Sequence, residues 1–434
     1  MRRRTLGTAI TCVALAVIGA ATLAPTSNAR PVVGSALCIL CGDYGGVDFL
    51  LNVILFVPLG LGLRLAGAPV VAAVIGALAA TTTIETLQLQ VIAGRDASLG
   101  DLVSNTLGGL LGALLVGRWR ALLFPPARRA ARLALLASAA WFGLAAVTAL
   151  STTLWTPHSE VLYRRSPAGR RWGWFPGRIL GTSAGDAAIA RAAGDGDGRF
   201  AVPAPVPQGG PVLMTVVVVR GGPAPGSAAI SMVMDPDGHD VVSVLQRRRD
   251  LVFRVRTGAA LALLRVPGLT VENLFAPRDE RAARAGWPVA GDTVRVAAHY
   301  TRQRLRLDVW WRGGHAVRAA PLHPFVAWSY LLPWEYSYGR WAGVLSALWA
   351  GGLIAPAAYW AARARAREDS RPSTLAVGLA AGGGLLLVPM VAGVNAVPAV
   401  VWGGVALGLA FGVGAGRWSL GADRGAGAGG AGPH

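Results

Sequence analysis

The chain of 434 residues contains no lysine, so all 41 of its basic residues are arginine. That replacement runs through the whole sequence, which marks a coding bias rather than a demand for guanidinium chemistry. Cysteine is scarce as well: three residues exclude a disulfide-rich scaffold, and a lone Cys-x-x-Cys pair cannot fill a tetrahedral zinc site. Charged residues make up only 15% of the chain, against about a quarter in ordinary globular proteins. Their place is taken by apolar residues, at 53% of the chain with a mean hydropathy of +0.48. The composition predicts an integral membrane protein. The formal charge of +19 sits largely just beyond apolar segments, which argues against a nucleic-acid partner.

Apolar runs near the length of about 20 residues needed to cross a bilayer fall at 7–24, 47–65, 68–87, 102–117, 132–151, 341–361, 373–391 and 395–416. Arginine flanks them in a consistent pattern: Arg2 to Arg4, Arg64, Arg118 to Arg132, Arg363 to Arg371 and Arg417. The positive-inside rule places all of these in the cytoplasm. Segments 25–46, 88–101 and 152–340 are then extracytoplasmic. The first run reads either as a retained span or as a signal peptide cleaved near Asn28 and Ala29. Cys12, within it, is expected to be a buried inert thiol. Pro58 is expected to kink the second span. The fourth run is short, and its Gly108, Gly109 and Gly112 predict close helix packing.

Polar residues gather at the ends of three neighbouring runs. Asp48 and Asn52 open the second, Glu85 and Gln88 close the third, and Asp101 and Asn105 open the fourth, with Arg95 and Asp96 between. A spacing of three or four places both members of a pair on one helix face. Alternating spans bring all three pairs to one membrane surface, where carboxylates face protein or water rather than hydrocarbon. Three readings follow. The side chains lock helices together; or they form a pocket for the polar head of a lipid-linked cell-wall intermediate or a glycopeptide; or they serve a hydrolase or transferase acting on a lipid-linked phosphate. No nucleophile completes the last set, so a non-enzymatic role without cofactor or metal is favoured. Cys38 and Cys41 just before the cluster form a candidate local disulfide on the oxidising side.

The ordered stretches Asp48–Gly60, Ile84–Gln88, Gly94–Asp96 and Asp101–Gly109 resemble the VanZ-like family of bacterial membrane proteins over about residues 10–120. The resemblance implies a polytopic envelope protein and a link to low-level resistance to the glycopeptide teicoplanin. It supplies no reaction.

Between about 170 and 320 the period changes to alternation. Runs 212–220, 228–234, 240–245, 251–256, 293–299 and 305–311 are short, β-rich and bounded by Gly, Pro and Asp, as expected for an antiparallel sandwich. The segments Val244–Gln246, Asp250–Thr257 and Leu305–Val309 resemble concanavalin-like or laminin-G-like jelly rolls, which implies a glycan or protein contact. Asp195–Gly198 and Asp235–Gly238 read as turns rather than calcium loops. His158, His239, His299, His315 and His323 show no ligand spacing. The fold class is therefore mixed: an eight-span helical bundle with an inserted extracytoplasmic β-sandwich. Its domains are a VanZ-like region at 1–125, a fifth span and linker at 126–155, the sandwich at 156–338, three spans at 339–418 and a disordered Gly-rich tail at 419–434. The expected location is the plasma membrane, with lipids and a cell-wall precursor, glycopeptide or glycan as partners.

Overall fold

A helix that buries only a narrow stripe while leaving leucines and valines outside needs an apolar solvent. The computed structural model, which describes residues 2–23, 38–40, 42, 44–90, 98–155, 162–165, 173–184, 187–188, 211–235, 239–265, 268–276, 287–332, 338–365 and 371–428, has this character. Among the described residues, 8 helices are long and apolar enough to cross a membrane. Leu136, Val147, Leu348, Val391, Leu407 and Phe411 stay exposed on them.

The chain forms two compact units. The first comprises Met1–Ala130 with Leu261–Arg265 and Leu331–Trp334, and the second holds the rest. In the first unit, α1 (Arg2–Thr22), α2 (Gly45–Ala66), α3 (Val70–Gln90) and α4 (Leu99–Leu123) pack through glycine. A methyl at Gly60 would overlap the backbone of Gly109. One at Gly112 would overlap the Val57 carbonyl, and one at Gly7 would overlap Ala66. Backbone approach of this kind replaces the hydrophobic effect as the source of helix association in lipid. The fourth segment is thus longer than its sequence suggests, at 25 residues, with the predicted small face buried. Pro58 lies inside α2 without ending it. Cys12 is exposed, not buried: α1 turns Gly7, Ala14 and Ile18 inward and leaves position 12 on its outer face.

The second unit carries α5 (Ala127–Ser151), two antiparallel sheets and the C-terminal helices. One sheet has the order β1 (Leu162–Arg165), β5 (Ser227–Met234), β6 (Asp240–Arg247), β7 (Asp250–Val255), β8 (Gly268–Val271). The other runs β11 (Gly314–Pro321), β10 (Arg304–Trp311), β9 (Thr293–Tyr300), β4 (Val212–Val219), β2 (Arg178–Ala184), β3 (Ala187–Ala188). Strict alternation in β4 buries every second residue, whereas β5 and β6 are buried on both faces. Buried Arg220 donates through Nε to the Leu274 carbonyl at 2.9 Å and also to Ala276, fastening the end of β4.

In α6 (Ala342–Ala364) and α9 (Ala399–Ala428) a glycine ladder recurs every fourth residue. Side chains at Gly404, Gly408 and Gly412 would overlap the backbone carbonyls of Ala347, Gly351 and Ala355. Between them α7 (Arg371–Gly382) passes through a π-helical turn, Gly383–Leu387, into α8 (Val388–Ala392). Gly383 and Gly384 there make room for Phe142 and Trp141 of α5. Helix α9 runs on to Ala428, into the stretch expected to be a disordered tail. Its glycines are interleaved with alanine, the best helix former, and they extend the preceding turns.

Candidate functional site

The polar residues of the first unit meet at one end of α2, α3 and α4. Ser98 caps α4, its hydroxyl accepting from the Asp101 amide at 3.0 Å. The Ser98 amide in turn donates to Glu85 Oε2 at 3.1 Å, which joins the end of α3 to the start of α4. Asn52 Nδ2 of α2 donates to Asp101 Oδ1 at 2.5 Å. Three helix ends are thereby linked through Asn52, Asp101, Ser98 and Glu85. A carboxylate in the first turn of α4 is also favoured by the helix dipole.

The other predicted residues go elsewhere. Gln88 is buried and donates to the Thr22 carbonyl at 2.9 Å, tying α3 to α1. Asn105 donates to Thr81 Oγ1 at 2.9 Å, and its own Oδ1 is buried with no partner among the described residues. Asp48 is exposed, in the first turn of α2, within electrostatic range of Asp101 and Arg265. Arg95, Asp96 and Cys41 lie outside the described residues. Cys38 is disulfide-bonded, and its carbonyl accepts from the Gly100 amide at 3.2 Å.

Reading the sequence missed Arg265. The segment Leu261–Arg265 follows β7 by sequence yet packs in the first unit. Leu263 O accepts from the Val47 amide at 3.3 Å, and Gly46 leaves room for Ala262. The Arg265 guanidinium lies 4.7 Å from the Tyr44 ring centroid. Leu263 has φ +51°, a conformation that is costly for a bulky residue and persists where its surroundings over-determine it. No motif flagged this stretch; the one available signal was an arginine closing an otherwise apolar run between two strands. With Cys38–Leu40 and Ser98–Gly100, it brings parts of three connecting segments to the same end of the helices.

Among the described residues no three His, Cys, Asp or Glu side chains gather in a metal-ligating group.

Residues 14–120 match the family model described as VanZ/LLP1. That region is a VanZ-like domain, and with the apolar helices it marks a membrane protein of the envelope type. No curated protein and no solved structure matches the chain.

Proposed function

We propose that the VanZ-like domain is a non-enzymatic recognition module at the outer leaflet of the plasma membrane, receiving the polar head of a lipid-linked cell-wall intermediate or a glycopeptide. One observation carries this reading. Carboxylates from three helices and the Asn52 amide are held in place at one end of the bundle, with Asp48 left exposed and Arg265 brought beside it by the inserted segment. Both charge signs and the Asn52 amide suit a head group bearing hydroxyls, an amine and an acid. The arginine clusters support cytoplasmic termini and an extracytoplasmic insert.

The two sheets are best taken as a jelly roll of the concanavalin or laminin-G type. Supporting this, the chain leaves β4 of one sheet, runs β5 to β8 as a meander in the other, and returns as β9 beside β4. In this reading the sheets contact glycan.

A second reading is favoured by the bonds themselves: Asn52, Gln88, Asn105 and Glu85 each spend hydrogen-bonding capacity on protein partners, as interhelical locks do. The two are separated with full-length protein in nanodiscs, using teicoplanin and a polyisoprenyl phosphate as probes. Recognition predicts that Asp48→Asn and Arg265→Gln weaken binding with unchanged thermal stability. If both variants bind normally while Asp101→Asn only lowers stability, the cluster is a lock and nothing more. An impermeant thiol reagent should label Ser98→Cys from outside the cell; labelling only after lysis overturns the orientation.

A further inference from the structure

The outer face of the six-stranded sheet carries a second polar arrangement, far in sequence from the helical cluster. In β10 the residues Leu305, Leu307 and Val309 are wholly buried, so Arg304, Arg306, Asp308 and Trp310 share the opposite face. The register sets Arg295 of β9 and His315 of β11 on either side of Trp310, and His299 beside Arg306. Asp308 is 4% exposed although it lies on the outward side. Its carboxylate accepts from Arg306 Nε at 2.6 Å and from the second nitrogen of the same fork at 2.8 Å, and His315 Nε2 stands 3.7 Å away. The His315 ring lies parallel to Trp310, 5.2 Å between centroids at 10°, and the Arg295 guanidinium is 5.9 Å from the Trp310 centroid.

Asp308 thus anchors two cationic or donor side chains whose own exposure is 41% and 43%. An arginine fork whose inner edge is fixed presents its remaining N–H groups outward at no further ordering cost. Around this pair stand Arg295 and Arg304, and Asp308 is the one acid on that face among the described residues of β4, β9, β10 and β11. Arg304 to Trp310 spans about 20 Å along the strand. A flat row of that length, with cations at intervals and a half-exposed indole, suits an extended ligand with repeated negative charges and sugar C–H faces.

We infer that this face binds a polyanionic glycan, with Arg306, His315 and Trp310 as contacts and Asp308 as the positioning residue. The inference rests on the glycan reading of the sheets given above and assigns it a place.

The test uses full-length protein in phosphatidylcholine nanodiscs, with oligogalacturonate as probe and dextran of equal length as the neutral control. Oligogalacturonate should bind in a salt-sensitive manner and dextran should not. Arg306→Gln with His315→Gln should weaken binding about tenfold or more, and Arg306→Lys, which keeps the charge but loses the fork, should not restore it. Asp308→Asn is the decisive variant, because it makes the face more positive. Simple attraction predicts tighter binding, whereas loss of the anchor predicts weaker binding. Arg318→Gln, on an exposed side chain whose register partner Leu307 faces the core, should change affinity less than twofold. Circular dichroism of each variant reports whether the sheets survive. Tighter binding by Asp308→Asn, or equal loss with Arg318→Gln, overturns the proposal. Binding that is indifferent to every variant leaves the glycan reading standing and removes this site. Absence of oligogalacturonate binding, or preference for phosphatidylglycerol vesicles, sinks both.

Discussion

Cutting the Asn52–Asp101 bond measures how firmly the polar rim holds the helices. Asp101→Ala removes the bond, and it also removes a carboxylate from the first turn of α4, worth about 0.3–1 kcal/mol through the dipole. A double-mutant cycle with Asn52→Ala cancels that second effect and isolates the pair. A hydrogen bond to a charged group contributes about 1.5–3 kcal/mol in soluble proteins, while interhelical bonds in bilayers average about 0.6 and reach about 1.7. The pair is partly buried at a helix end, between these settings, so the coupling should be about 1–2 kcal/mol. That is roughly a five- to thirtyfold change in the unfolding equilibrium. Unfolding of detergent-solubilised protein by increasing SDS, followed by circular dichroism, gives all four corners of the cycle. A coupling below about 0.3 kcal/mol would refute the claim that this bond locks α2 to α4.

Other outcomes follow from the same geometry. Thr81→Val should cost about 1–3 kcal/mol, because Asn105 then loses its one described partner while staying buried; an unchanged SDS midpoint would contradict this. Gly408→Leu should lower the melting temperature in detergent by several degrees, since the side chain must displace the Gly351 carbonyl. Burial pushes the His323 imidazole down to about 4, so the folded state resists its charging while the unfolded chain takes up the proton near 6.5. Stability should therefore be intact above about pH 6.5 and fall by up to about 3 kcal/mol towards pH 4. His323→Gln should flatten that limb of a pH titration. Denatured, unreduced protein should take up one maleimide, at Cys12, and more after reduction.

The helical half of the molecule was readable because a bilayer demands long apolar runs, and such runs survive without context. The strands β4, a valine-rich run, and β10, whose side chains alternate between polar and apolar up to Val309, were equally visible. The edge strands β8 and β11 were not: β8 has only four residues, β11 is rich in glycine and alanine rather than β-branched residues, and their pairing depends on β7 and β10 being in place. Of the candidate cluster, the helix-end placement of Asp48, Asn52, Glu85 and Asp101 was legible, because spacing fixes which face paired residues share. Its actual bonding was not. Gln88 pairs with a carbonyl of α1 and Asn105 with Thr81 rather than with the other cluster members, and nothing local distinguishes those partners. Arg265 was invisible for a simpler reason: a contact between residues separated by more than two hundred positions leaves no period to detect.

The ladder between α6 and α9 has a consequence for assembly. Glycine brings no rotamers to the interface, so closing these two helices freezes almost no side-chain freedom along the seam. Along the glycine rungs the pair needs only the lack of bulk at one position in four, and beyond them buried Arg363 of α6 donates to Ser419 Oγ of α9 at 2.6 Å. The glycine rungs themselves hold no titratable or redox-active side chain, so that stretch of the seam keeps its closure when pH or redox state changes.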